Sequence, residues 1–408
     1  MKRRLRIHIV DDDPDAVAMV EQLVREAGHE LSVSQESRTA LRDIANEQPD
    51  CVVLDIMMPG IDGLDLCRQL RQMEALSSVK IIMVTAKAFT FDQTRAMELG
   101  ADGYILKPIR AASFMGELER IVADELQLSF WGVHGTLPVP GKRTVRYGGN
   151  TPCVSLSFPN GRLFIFDAGT GIKELSNALT QNEDRIKAKI FITHPHWDHI
   201  NGLPFFAPLY AQGNEFEILG PSHGATSMHE LLSAQMDSAY FPVTIREFAA
   251  RVYFKELSEG SYPIEGVDVH TLLLSHPGTC LGYRVEYGGR SFCYITDNEL
   301  FLPDSPYYSE HYVTRLAAFT QRCDVLVMDA SYSDEVYPAK VGWGHSCVTQ
   351  VANLAHEASA RGLYLFHHDP DQGDDDIDQK LVVAKKRLKE LGSTTQVTAP
   401  AEGDMIRF

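Results

Sequence analysis

The chain has 408 residues, more than one ordinary core accommodates, so two or three domains are expected. Its 44% hydrophobic and 23% charged residues suit a globular protein, and no apolar run approaches the roughly 18–20 residues that cross a bilayer, so no membrane partner is expected. A formal charge of −17 argues against a broad nucleic-acid surface, which needs a basic face, and so against DNA as a partner.

Met1-Lys2-Arg3-Arg4-Leu5-Arg6 is basic, but the apolar segment after it stops at Asp11, too soon for a signal peptide. The seven cysteines are odd in number and scattered without a CxxC pair, which predicts reduced packing residues and a cytoplasmic location. Up to about residue 120, apolar strands alternate with amphipathic helices. Strands are predicted at 5–10, 30–33 (the weakest), 51–54, 80–84 and 103–106. Helices are predicted at 14–27, 63–72 and 91–99, with a last one at 111–126. This alternation predicts a parallel sheet covered on both faces. From Phe130-Trp131-Gly132 the character changes to short strands separated by glycine and turn residues. Strands are predicted at 153–157, 163–166, 189–193, 267–274, 282–287, 291–295, 325–328 and 363–366. Helices are predicted at 172–179, 226–236, 312–321 and 347–360, so two mixed sheets with helices outside would fit. The acidic stretch Asp371 to Asp378 reads as a solvated turn before a helix.

In the first region, Asp11-Asp12-Asp13 follows the first strand and Asp55 the third, which puts both at one edge of a parallel sheet, where ligands bind. Clustered carboxylates make an oxygen-rich site for Mg²⁺. Thr85 and Lys107 end the fourth and fifth strands there, a hydroxyl and an ammonium suited to a transferred phosphoryl group. Val10-Asp11-Asp12-Asp13-Pro14, Leu54-Asp55-Ile56-Met57-Met58-Pro59-Gly60, Val84-Thr85-Ala86-Lys87 and Leu106-Lys107-Pro108 resemble the motifs of CheY-like receiver domains of two-component response regulators, over residues 4–122. The resemblance implies a doubly wound, five-stranded α/β receiver. It makes Asp55 the phosphoacceptor, Asp11 and Asp12 the Mg²⁺ pocket, Thr85 the switch hydroxyl, Lys107 the phosphoryl contact and Tyr104 the switch aromatic. It also implies a cognate sensor histidine kinase.

In the second region, His194-Pro195-His196-Trp197-Asp198-His199 follows the apolar run Ile190-Phe191-Ile192. The strand end would deliver His194 and His196 to one metal, and the turn after it Asp198 and His199 to a second. Imidazole and carboxylate ligands suit zinc, with manganese or iron as alternatives. His276, Asp297 and His367 each come after an apolar run, giving seven ligands, enough for two ions with a bridging carboxylate. Asp167, in Phe166-Asp167-Ala168-Gly169, is expected to orient a ligand or loop by hydrogen bonds. This constellation resembles the αββα metallo-β-lactamase fold over residues 128–408, specifically its phosphodiesterase and tRNA 3′-processing branch. The resemblance implies one metal on His194, His196 and His276, the other on Asp198, His199 and His367, and Asp297 between them. His345 in Gly344-His345-Ser346 matches the histidine that helps protonate the leaving oxygen. Asp329 stands where tRNA-processing members carry a glutamate paired with it.

Two domains follow, a receiver at 1–125 and a metallohydrolase at 126–408. The expected function is a response regulator whose output is a dinuclear-metal phosphodiesterase, controlled by phosphorylation of Asp55. Catalysis is expected from Asp198, which orients or deprotonates the attacking water, and from His345 held by Asp329. The acidic chain lacks a lysine-rich arm for holding tRNA, which favours a small phosphodiester, a cyclic nucleotide. The alternatives are an RNA-processing nuclease and a non-catalytic metal-binding scaffold. A homodimer is left open.

Overall fold

A computed structural model of the chain describes residues 4–87, 90–181 and 185–408; Lys2 and Arg3 of the basic start lie outside them. The chain folds as two compact units, Met1–Leu126 with Ser157–Arg162, and Gln127–Leu156 with Leu163–Phe408.

The first unit carries β1 (Arg6–Val10), α1 (Pro14–Glu26), β2 (Glu30–Ser34), α2 (Ser37–Glu47), β3 (Cys51–Leu54), α3 (Gly63–Gln72), β4 (Lys80–Thr85), α4 (Thr90–Glu98), β5 (Gly103–Leu106) and α5 (Ala111–Ala123). Its sheet is parallel, in the order β2-β1-β3-β4-β5. β3 reads Cys-Val-Val-Leu without alternation and is buried at every position, as a strand covered on both faces must be. Ile7, Ile9 and Val53 pack with Val20 of α1 and Phe114 of α5 on one face. Val10, Val52 and Leu54 pack with Ile44 of α2 and Leu66 of α3 on the other. Because β1 and β3 are neighbours with Val10 opposite Leu54, Asp11 and Asp55 emerge side by side. α1 starts where Asp13 accepts the N–H groups of Asp15 and Ala16, with Pro14 in the first turn. The last helix ends at Ala123, a turn earlier than the pattern predicts. Asp124 adopts a left-handed conformation (φ 57°), and its N–H closes back on the Ile121 carbonyl.

The second unit adds β6 (Gln127–Gly132), β7 (Cys153–Ser157), β8 (Leu163–Phe166), α6 (Ile172–Leu179), β9 (Lys187–Phe191), α7 (Trp197–Ile200), β10 (Glu215–Gly220), α8 (Met228–Gln235), β11 (Arg251–Glu256) and β12 (Gly260–Ile264). It continues with β13 (Val267–Leu273), β14 (Leu281–Tyr287), β15 (Arg290–Ile295), α9 (Glu310–Phe319), β16 (Val325–Asp329), α10 (Val348–Glu357), β17 (Gly362–Phe366), α11 (Asp374–Glu390), β18 (Gln396–Thr398) and β19 (Met405–Arg407). Two seven-stranded sheets result, β11-β10-β9-β8-β7-β6-β19 and β12-β13-β14-β15-β16-β17-β18. Aromatic rings join their facing sides. Phe166 of β8 lies 5.2 Å from Phe292 and 5.6 Å from Tyr294 of β15, and Phe191 of β9 lies 5.4 Å from Tyr283 of β14. Each such buried ring contributes roughly 1.5–3 kcal/mol by leaving water, with about 0.5–1.5 kcal/mol more for each well-placed pair. Helices α6 and α8 cover the outer face of the first sheet, and α9, α10 and α11 that of the second. The layering is αββα.

The acidic stretch departs from the expected solvated turn. Asp374 is buried and accepts the backbone N–H groups of Arg146 and Tyr147, while Asp375 and Asp378 pair with the Arg146 guanidinium. From Asp374 on, the stretch forms the first turns of α11, and it fastens the segment that precedes β7. Strands β6, β10 to β12, β18 and β19, and helix α2, were not among the expected elements.

Candidate metal centre and acidic pocket

The strands of both sheets in the second unit deliver their chemistry at their carboxyl ends. Asp167 follows β8, His194 and His196 follow β9, Asp198 and His199 lie on the single turn of α7, and Asp297 and His367 follow β15 and β17. Asp329 ends β16. Asp167 takes up a left-handed conformation (φ 60°) and is fully buried. Its carboxylate accepts the Thr193 N–H at 2.8 Å, the His199 Nδ1–H at 2.8 Å and the Tyr294 hydroxyl at 3.0 Å. It therefore pins the start of the histidine loop and commits His199 to presenting Nε2. His276 is oriented in the same way, its Nδ1 donating to the Gly344 carbonyl at 3.0 Å. The Gly344 backbone (φ +88°) comes so close that a Cβ there would lie 2.3 Å from that Nδ1. At Gly135 a Cβ would lie 2.1 Å from the His367 ring.

Two overlapping groups of ligand atoms result: His194, His196, His276 and Asp297, and Asp198, His199, Asp297 and His367. Asp297 faces both. Its Oδ1 lies 3.2 Å from His199 Nε2 and 3.0 Å from His367 Nε2, and its Oδ2 3.5 Å from His194 Nε2 and 3.7 Å from His276 Nε2. Asp198 Oδ2 is 3.2 Å from both His199 Nε2 and His367 Nε2, and it accepts the Thr136 N–H at 2.7 Å. Burial opposes charge on every one of these groups, and the two clusters resolve that differently. Burial and its imidazole neighbours, His199 foremost, hold His194 well below its ordinary range. Burial also presses His367 down, but Asp297 and Asp198 outweigh it and push its pKa up to about 10. Against the same burial, His199 holds Asp198 well below the usual carboxylate range, and His367 and His199 do so for Asp297.

Divalent cations fit these residues. The Nε2 atoms of His194 and His199 are buried and make no well-formed hydrogen bond, facing only carboxylate oxygens at 3.2–3.5 Å, an arrangement that a cation between them would satisfy. The His196 Nδ1 and His276 Nε2 atoms approach to 3.1 Å, so the two rings present their nitrogens to one point. All donors are imidazole or carboxylate, as zinc and its first-row neighbours prefer.

His345 stands beside the second group, its ring stacked 4.9 Å from His367. Its Nδ1–H donates to Asp329 Oδ2 at 2.7 Å. Burial lowers its pKa, but Asp329 more than offsets this, and the net shift is upward. Asp329 also accepts the N–H groups of Asn298 (3.1 Å) and Ser331 (2.9 Å) and the Ser331 hydroxyl (2.8 Å). With these donors around it, the carboxylate is occupied in orienting His345, although it lies close enough to join a third ligand group with Asp297, His345 and His367.

Three supporting residues escaped the sequence reading. Glu299 is buried and accepts the Tyr337 hydroxyl at 3.0 Å and the N–H groups of Gly342 and Gly344 at 2.8 Å each, fixing the loop that carries His345. Its signal was an acid two positions after Asp297. Ser331, two positions after Asp329, links that residue to His367 Nδ1 at 3.2 Å. Lys380 of α11 is buried and donates to the Ala330 carbonyl at 2.6 Å and to His368 Nδ1 at 2.8 Å, and burial takes its pKa down to about 7. Nothing in a helical run rich in lysine marks it out.

In the first unit, Asp11, Asp12 and Asp55 bring carboxylate oxygens together. Lys107 Nζ lies 2.8 Å from Asp11 Oδ2 and 3.3 Å from Asp55 Oδ1. Asp55 Oδ2 accepts the Met57 N–H at 2.7 Å. Burial raises the Asp55 pKa, and Lys107 counters part of that. Thr85 is fully buried at the end of β4, and the Tyr104 hydroxyl donates to the Lys87 carbonyl at 2.7 Å. Tyr104 itself lies within β5, and the other residues singled out from the sequence in this unit lie at the carboxyl edge of the sheet.

Comparison with known proteins divides the chain in the same way. Residues 7–119 match the response regulator receiver domain family, and residues 162–368 match the β-lactamase superfamily domain. The DNA-binding response regulator MtrA of Mycolicibacterium smegmatis is 35% identical over 160 residues, 38% of this chain and 68% of that protein. The alkaline phosphatase synthesis transcriptional regulatory protein PhoP of Bacillus subtilis is 37% identical over 103 residues, 25% of this chain and 42% of its own length. The solved metallo-β-lactamase fold protein YhfI from Bacillus subtilis shares the fold, with a TM-score of 0.50 and 16% identity over 70% of this chain and 100% of that one. With an acidic pocket in one unit and two overlapping groups of residues that could hold metals in the other, the chain belongs to the response regulators through residues 7–119 and to the β-lactamase superfamily through residues 162–368.

Proposed function

We propose that this protein is a two-component response regulator whose output is a phosphodiesterase acting on a small phosphodiester, a cyclic nucleotide. The domain boundary is placed at about residue 125. The observation that carries the reading is the His345–Asp329 pair, an oriented proton donor stacked against a ligand of a two-metal centre. A scaffold that merely bound metal would have no use for it.

His194, His196 and His276 would hold one ion, Asp198, His199 and His367 the other, with Asp297 shared. Bound there, two divalent metals would clamp the phosphoryl oxygens and acidify water. Asp198, fixed by the Thr136 N–H, orients the attacking water and accepts its proton. The phosphorus–oxygen bond to the leaving alkoxide breaks as His345 Nε2 gives up its proton, and Asp329 stabilises the imidazolium before that transfer. Asp167, Ser331 and Glu299 hold the participating rings and loops in place.

Hydrolysis of 3′,5′-cyclic AMP and GMP, 2′,3′-cyclic nucleotides and precursor tRNA by metal-loaded protein tests the reading. Selective turnover of a 3′,5′-cyclic nucleotide is expected. Turnover of precursor tRNA alone would replace the reading with an RNA-processing nuclease, and no turnover by protein carrying both metals would overturn it.

Asp55 is proposed as the phosphoacceptor, with Mg²⁺ held at Asp11 and Asp12 and a sensor histidine kinase as donor. Phosphorylation with acetyl phosphate and Mg²⁺ is expected to label the protein once, and Asp55→Asn not at all. It should change kcat/KM in the second domain by about 5- to 150-fold, the usual span of allosteric coupling. Equal rates before and after labelling would refute control through Asp55.

A further inference from the structure

The segment from Tyr337 to Gly344 leads into His345 and carries two residues that the proposed chemistry does not use, Lys340 and Trp343. Trp343 is 58% exposed, a high figure for the largest apolar side chain. A single exposed ring is ordinary on a protein surface, so exposure alone carries nothing. The surroundings do. The Lys340 ammonium lies 4.0 Å from the centre of the Trp343 ring and 5.9 Å from that of Tyr332. Tyr332 is buried, and its ring meets His345 edge-on at 5.9 Å. The next residue, Gly344, gives its carbonyl to His276 and lies against that ring. Trp343 thus stands two residues before His345 and next to Gly344, whose carbonyl holds His276, and Lys340 bridges it to the Tyr332 ring that meets His345.

The loop is held firmly although it carries an exposed Trp343. The buried Glu299 carboxylate takes three of its hydrogen bonds, and the Trp343 N–H closes a turn on the Lys340 carbonyl at 3.1 Å. A cation on one face of an indole is a stabilising arrangement that withdraws electron density from the ring. The exposed part of such a ring suits stacking with an electron-rich planar group. Lys340 makes no salt bridge among the described residues, in a chain of net charge −17, so its ammonium also favours an anionic ligand.

We propose that Trp343, backed by Lys340, is the face on which the nucleobase of the substrate stacks, making it a specificity-determining residue rather than a catalytic one. This inference rests on the nucleotide reading above and narrows it to ligands that carry a base.

The test is calorimetric titration of the metal-loaded full chain with AMP and with ribose 5-phosphate, which has the sugar phosphate but no base. Wild type is expected to bind AMP more tightly. Trp343→Ala should weaken AMP by about 10-fold, within the range measured for base–aromatic stacking, and leave ribose 5-phosphate unchanged. Trp343→Phe, which keeps a flat ring, should retain most of the AMP affinity. An AMP preference that survives Trp343→Ala, or a wild type that binds both ligands equally, would overturn the proposal. Diester hydrolysis is followed on the same preparations. A protein that binds AMP through Trp343 yet cleaves no diester would support the stacking face and refute the phosphodiesterase. One that cleaves diesters but shows no AMP preference would refute the stacking face alone.

Discussion

Replacing His345 with Ala is expected to lower kcat on a nucleoside phosphodiester by about 10²- to 10⁴-fold, the usual worth of a positioned general acid, with both metals retained. Metal retention follows from the geometry. His345 Nδ1 is committed to Asp329, and His345 belongs to neither of the two groups that meet at the shared carboxylate of Asp297 through His194, His196 and His276 or through Asp198, His199 and His367. The discriminating measurement varies the leaving group. A p-nitrophenolate departs without help, so its diester should lose little rate in the variant. A nucleoside alkoxide needs a proton and should show the full loss. Asp329→Asn should show the same dependence on leaving group with a smaller amplitude, since the imidazole loses its carboxylate but keeps its place. An equal loss for both leaving groups, or loss of metal in His345→Ala, would remove His345 from the role of acid.

How much of this was legible in the sequence depends on whether the chemistry is local. His194 to His199 lie within six residues, and the apolar run Ile190-Phe191-Ile192 stands just before them, so both the ligands and their placement could be read directly. The first domain was equally open, because parallel strands buried on both faces show no alternation and their carboxyl ends carry the acids. Among the strands that escaped, β10 is one whose charge masks its pattern. β10 carries Glu215 and Glu217, which read as solvent-facing. In the fold they sit opposite Lys187 and Lys189 of β9 and pair with them at 3.5 and 2.7 Å. The acidic stretch was misread for a related reason. Nothing in Asp374 itself announces that Arg146 and Tyr147, more than 200 residues earlier, will bring their N–H groups to it. Glu299 and Lys380 show the limit most clearly. Each is an ordinary charged residue in sequence, and its role exists only once distant loops close around it.

Substitution of Asp297 should have the largest effect of all. Asp297→Ala is expected to reduce bound metal from two ions to at most one and to lower activity below that of any variant outside the ligand set, His345→Ala included. Asp297 is the one residue common to both ligand groups, and each of its oxygens faces a different pair of histidines. Removing it takes a ligand from each ion and the negative charge from between them. Without that carboxylate, two cations a few ångströms apart would repel each other in a buried site with only Asp198, at one side, to offset their charge. The same loss should be visible without any substrate. Metal that binds only the folded protein stabilises it by about 2.7 kcal/mol at a concentration one hundred times its Kd. The wild-type domain should therefore melt at a lower temperature after chelation and recover when zinc is restored. Asp297→Ala should show a clearly smaller zinc-dependent shift than wild type, as expected for a protein left with at most one ion. His345→Ala, by contrast, should keep the full metal-dependent shift, which separates a ligand from a proton donor in a measurement that involves no turnover. Two ions retained in Asp297→Ala would mean that each group holds its metal independently, and the shared carboxylate would then be no bridge.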